Sequence, residues 1–156
     1  MYDFDAMDKR LLVFGYLFRV ANRLQNKMDL QMKDLTAKQW FVILALGLFE
    51  QPPTLKQLAA ACDTSHQNTK QLVMKLVEKG FVTVHNDEKD GRAMRIAASD
   101  KCGQWDKENE PLAMQFINAM FSGMSMDDIS RLSSSLIKVF DNLDNINGIN
   151  GGIPNA

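Results

Sequence analysis

Cysteine is scarce. Cys62 and Cys102 are the only two in 156 residues, too few for a disulfide scaffold, and a reducing cytoplasm is the expected location. Apolar runs are short as well. The longest, Trp40 to Phe49, has ten residues, about half a bilayer crossing, so no membrane partner is expected. The first residues, Met1 to Asp5, lack the basic start and apolar middle of a secretory leader. Proline falls only at 52, 53, 111 and 154, and glycine is sparse before the tail, which excludes collagen-like and Pro/Gly-rich disordered chains. The only histidines, His66 and His85, are not at ligand spacing, so no metal is expected. No nucleophile with a base, phosphate loop or flanked carboxylate pair stands out. Neither an enzyme nor a cofactor is expected.

What is present is ordinary globular composition, 46% hydrophobic and 24% charged, at the length of one domain. The net charge of −1 hides an asymmetry. Residues 54–98 carry seven basic groups against five acids, and the remainder carries eleven against fourteen. A mildly basic middle in an acidic chain fits one phosphate-facing surface.

Helical periodicity dominates. Leu11, Phe14, Phe18, Ala21 and Leu24 recur at three or four residues, predicting an amphipathic helix over about 6–31 with Arg19, Arg23 and Lys27 beside its apolar face. Three start signals follow, each a Thr with Gln three residues later: Thr36/Gln39, Thr54/Gln57 and Thr64/Gln67. This is capping-box spacing. The first predicts a helix over 39–50 stopped by Pro52 and Pro53, the second a short helix over 55–61, and the third a helix running to Lys79 and ended by Gly80. A short helix, a tight turn and a longer helix have helix-turn-helix spacing. After Gly80 the period changes to two. Residues 81–85 and 93–98 read as strands around a polar turn with Asp90-Gly91, so a β-hairpin wing follows the longer helix. Pro111 should begin, kink or break any helix containing it. After Ser125, Ile129, Leu132, Leu136, Val139, Leu143 and Ile146 alternate by three and four, the pattern of a helix packed lengthwise within one chain or between two. The expected class is mainly α with a small β-hairpin: a winged helix-turn-helix.

At about 100° per residue, Thr69, Leu72, Val73 and Leu76 of the third capped helix share one face and should meet the core. Gln67, Lys70, Gln71, Met74 and Glu78 lie opposite, flanked by His66, Asn68 and Lys75. Amide side chains near a helix start suit base edges, lysines suit phosphate, and the helix amino terminus adds free amides with Ser65 beside them. Any surface helix has a polar face; the order of capped helices, glycine and hairpin favours DNA. Arg92 sits where a wing tip enters a minor groove, Asp90 is placed to orient it, and Arg95 suits a phosphate or a neighbouring acid.

The run from Ser65 to Val82, followed by Asp90-Gly91-Arg92, resembles the multiple-antibiotic-resistance-regulator (MarR) family, and so does the plan of a long first helix, a winged helix-turn-helix and carboxy-terminal helices. The resemblance implies a homodimeric, double-stranded-DNA-binding regulator, usually a repressor on a pseudo-palindromic operator, released by a small aromatic or anionic effector. It implies dimerisation helices over 1–35 and 99–146, with Leu11, Leu132, Leu136, Val139 and Leu143 at the interface. A DNA-binding domain would cover 36–98 and a flexible tail 147–156. Two departures stand out: Gly91 precedes Arg92 where relatives commonly have two arginines, and Cys102 stands where they often have glycine.

Candidate walls for an effector pocket are Phe14, Phe18, Trp40 and Met114, with Arg19 or Arg23 to meet an anion. Two alternatives stay open. The winged helix is a protein-interaction module without duplex binding, or Cys62, near the start of the longer helix, is a redox-sensing thiol.

Overall fold

The computed structural model describes residues 7–86 and 94–146. The described chain contains six helices and one two-stranded sheet. It forms two compact units that divide after Lys107.

In the first unit, α1 (Lys9–Gln31) is capped by the Asp8 carboxylate and buries only Met28. Its apolar stripe is largely uncovered in the single chain: Leu11, Phe14 and Phe18 are each 62% exposed. Near its end, the Asp29 carboxylate accepts a hydrogen bond from the Ala37 amide at 2.6 Å. This fixes the corner into α2 (Ala37–Leu46), whose start carries the expected Thr36/Gln39 capping box. The helix ends four residues before the predicted Glu50. Beyond Leu46 the Leu48 and Phe49 amides turn back to Ala45 and Leu46, so the chain leaves the helix at Gly47, ahead of the prolines, and Phe49 packs against the core.

The short helix α3 (Leu55–Ala61) has the predicted bounds and the Thr54/Gln57 capping box. The helix α4 (His66–Glu78) begins one residue later than predicted. Its cap is Ser65, which accepts from the Asn68 amide, and not Thr64. The reason lies in the turn: Asp63 takes a left-handed φ of 47°, and the Asp63 and Thr64 amides return to Ala60 and Ala59. That is a Schellman closure of α3, and it commits Thr64 to the preceding helix. The end of α4 closes in the same way. Gly80 (φ 77°) and Phe81 return their amides to Val77 and Leu76, and Phe81 then enters the core.

Strands β1 (Val82–Asn86) and β2 (Met94–Ala98) pair antiparallel with Val84 opposite Ile96. The Ile96 amide donates to the Pro53 carbonyl at 3.0 Å, and Thr54 bridges Arg95, so the hairpin base is tied to the chain entering α3. Leu35, Val42, Leu58, Leu76, Phe81 and Ile96 are buried at the centre.

The helix α5 (Asp100–Met120) is continuous through Pro111. The proline neither begins nor breaks it. Its missing N–H falls opposite the Lys107 carbonyl four residues earlier, where the two units divide. In the first unit, Cys102 and Trp105 of α5 are buried. The second unit holds the rest of α5 and α6 (Met126–Asp144), opened by a Ser125/Asp128 capping box. No α6 residue is buried; Leu132, Leu136, Phe140 and Leu143 of its apolar arc are exposed and Val139 is half-buried. No described helix is long and apolar enough to cross a membrane.

Candidate nucleic-acid interface

The face of α4 is set by what holds its back. Thr69, Val73 and Leu76 are buried and Leu72 is half-buried, as the wheel predicts. The Thr69 hydroxyl donates to the Ser65 carbonyl at 3.1 Å, which lets a polar side chain sit inside the core. The opposite side is open: His66, Gln67, Asn68, Lys70, Gln71, Met74, Lys75 and Glu78 are all exposed. Ser65 is exposed but occupied as the cap. Asn68 is partly engaged too, its side-chain amide donating to the Thr64 hydroxyl at 2.7 Å. Gln67 and Gln71, with Lys70 and Lys75, form the patch most suited to base edges and phosphates.

The far end of α4 is fixed by contacts that local sequence patterns do not reveal. Lys79 Nζ donates to the Asp34 carbonyl at 2.7 Å and to Gln39 Oε1 at 2.9 Å, so the capping glutamine of α2 also anchors the end of α4. From α5, Lys101 Nζ donates to the Lys79 carbonyl at 2.7 Å and lies over the Phe81 ring. The Ser99 hydroxyl donates to the Gly80 carbonyl at 2.7 Å. Trp105 meets Phe81 edge-on and donates to the Asp34 carboxylate at 3.1 Å. These partners lie 19 to 71 residues apart in sequence. No periodicity joins them.

Arg95 is half-buried, and its guanidinium donates to the Pro52 carbonyl at 3.0 Å. It braces the hairpin base. Asp90 and Arg92 lie outside the described residues.

Of the candidates for an effector pocket, Phe14, Phe18, Arg19 and Trp40 lie in the first unit. Phe14 and Phe18 touch edge-on at 5.2 Å on the open side of α1, Arg19 covers the Tyr16 ring, and Trp40 packs against the core. Met114 belongs to the second unit. A groove of about 420 Å³ does exist in the first unit, lined by residues between Ile43 and Pro52, by 96–98 of β2 and by Cys102, Gly103 and Asp106 of α5. Sequence reading missed it because its walls come from separated segments.

Cys62 is half-buried, and burial together with the Asp63 carboxylate pushes its thiol up; Cys102 is pushed up by burial and by Asp106. Both shifts oppose the thiolate that oxidant sensing needs. No group of three His, Cys, Asp or Glu that could hold a metal occurs among the described residues.

The MarR family model matches residues 33–93, which contain the helix-turn-helix. The transcriptional activatory protein BadR of Rhodopseudomonas palustris is 26% identical over 140 residues, covering 84% of this chain and 78% of its own. The S. aureus MepR–DNA complex aligns with a TM-score of 0.74 at 20% identity, covering 83% of this chain and 97% of that one. BpsR of Bordetella bronchiseptica, whose DNA binding is regulated by 6-hydroxynicotinic acid, aligns at 0.69 and 21% identity, covering 81% and 97%. The match to the MarR family model thus falls on the helix-turn-helix and the first strand of the hairpin, and the likeness to these solved structures, which extends over most of the chain, is one of fold.

Proposed function

We propose that the protein is a homodimeric repressor that occupies a pseudo-palindromic operator and leaves it when a small effector binds. The observation that carries this reading is the α4 face: an exposed patch of Gln67, Lys70, Gln71 and Lys75 on a helix whose back and both ends are fixed. A two-fold dimer sets two such helices in successive major grooves, about one helical turn apart, with the wings over flanking minor grooves. Gln67 and Gln71 read bases, while Lys70, Lys75 and His66 position the helix on phosphates. Arg92 reads groove width with Asp90 as its orienter. Asn68 and Ser65 contribute through the helix start.

Dimerisation is supported by uncovered apolar side chains at both ends of the chain, Leu11 on α1 and Leu132, Leu136 and Leu143 on α6; a second copy is the proposed cover for both. The residues 1–35 and 99–146 are accordingly assigned to dimerisation, and 36–98 to DNA. Release follows from differential affinity alone: an effector acts only if it favours a dimer whose helix spacing no longer fits the operator. Repression needs only occupancy, and BadR, named as an activator, makes the operator's place relative to the promoter worth mapping.

Selection of bound fragments from random duplexes, with the mass of the free protein in solution, tests the reading. An inverted repeat and a dimeric mass are expected. A solitary molecule, or no enriched sequence, would overturn it in favour of a protein-binding module.

A further inference from the structure

We propose that the groove beside α2 takes an aromatic organic cation, and that this is the effector class of the regulator; the second clause rests on the function proposed above. The groove encloses about 420 Å³, within the usual range for small-molecule sites. Its walls are apolar, with Ile43, Leu44, Phe49 and Ile96 among them, and its charged residues are Glu50 and Asp106. Among the described residues no lysine, arginine or histidine lines it. Both carboxylates are exposed, and neither has an ion-pair partner among the described residues.

The charge balance decides the chemistry. An anion entering this groove meets two like charges among its described lining residues, while the nearby Arg95 guanidinium is engaged by the Pro52 carbonyl. A cation meets two opposite charges, and the Phe49 ring offers a π-face for the part of it that leaves water. The apolar walls favour a body of rings or hydrocarbon. Of the two effector chemistries that the sequence suggests, aromatic and anionic, the groove favours the aromatic one and attaches a positive charge to it. Gly103, on the α5 wall, has open space around it: a Cβ there would meet nothing within 4 Å. A larger side chain at this position on the groove wall is therefore accommodated without a clash at its Cβ.

Calorimetric titration of the full-length protein with tetraphenylphosphonium and with tetraphenylborate tests this, because the two ions have nearly the same shape and opposite charge. The phosphonium should bind about tenfold more tightly or better, the scale of one charge pair in a partly screened site. Glu50→Gln combined with Asp106→Asn should shrink that preference about tenfold at an unchanged melting temperature. Gly103→Leu should abolish binding of both ions. Equal or tighter binding of the borate, an unaltered preference in the double variant, or undiminished phosphonium binding by Gly103→Leu would each overturn the assignment. Duplex binding measured on the same preparation separates the two readings. Phosphonium binding without any selected duplex would sink the regulator and leave the groove chemistry standing; duplex binding with a preference for the borate would do the reverse.

Discussion

The helix-turn-helix and the last helix treat their apolar side chains in opposite ways. Around α3 and α4, Leu58, Val73, Leu76 and Phe81 are all but sealed from solvent. On α6, an equally regular series of leucines and isoleucines finds no cover in the single chain, and no residue of that helix is buried. Both patterns have helical periodicity. One belongs to a region that completes its own core, and the other to a surface that the single chain leaves open. Periodicity shows that a face is apolar and leaves open what covers it.

That contrast can be broken at either end. The largest effect on stability is expected inside the closed region, where Leu58→Ala should cost about 2–5 kcal/mol of unfolding free energy. Denaturant titration checks it, and a loss below about 1 kcal/mol would mean that the site is not tightly packed. On the open side, Leu132→Asp with Leu136→Asp should barely move the unfolding of the single chain. It should instead split the dimer, since an unpaired charge buried at an interface costs roughly 3–5 kcal/mol. Sedimentation at micromolar protein reads this directly; a persistent dimer would remove α6 from the interface.

Smaller effects sharpen the roles on the DNA side. Arg92→Ala should weaken operator affinity by about 1–3 kcal/mol, one good contact, and an unchanged anisotropy titration would strip it of that role. Lys75→Ala should lower the slope of log affinity against log salt by about one; an unaltered slope would return it to the solvated surface. The smallest effect concerns α6 itself. Hydrogen bonds from Ser125 hold the Asp128 carboxyl below its usual range. Their contribution is therefore present above the unfolded carboxylate value, roughly 3.9, and is lost as the pH falls through the lower native one. Carboxyl NMR titration should show the Asp128 midpoint rising towards the usual value in Ser125→Ala; an unmoved midpoint would remove the cap as its cause.

Where chemistry is local, the sequence was readable. The Thr36/Gln39 and Thr54/Gln57 boxes, the bounds of α3 and the buried face of α4 all follow from residues within four positions of one another. The slip at Thr64 has the same origin. The Thr64/Gln67 spacing is local, and the left-handed turn at Asp63, which it does not reveal, hands the cap to Ser65. At Pro111 the helix neither begins nor breaks: the local rule assigns the proline a cost and does not say that the helix must end there. The groove and the braces on Lys79 were out of reach, because they unite side chains that only the tertiary fold brings together.

The first two turns of α5 touch both ends of a possible message. Lys101 and, just before α5, Ser99 clasp the carbonyls of Lys79 and Gly80, at the end of α4. Cys102, Gly103 and Asp106, on those same turns, form a wall of the groove. Under the function proposed above, displacement of this wall would load that clasp and, with it, the end of the helix offered to the bases, over a lever only a few residues long.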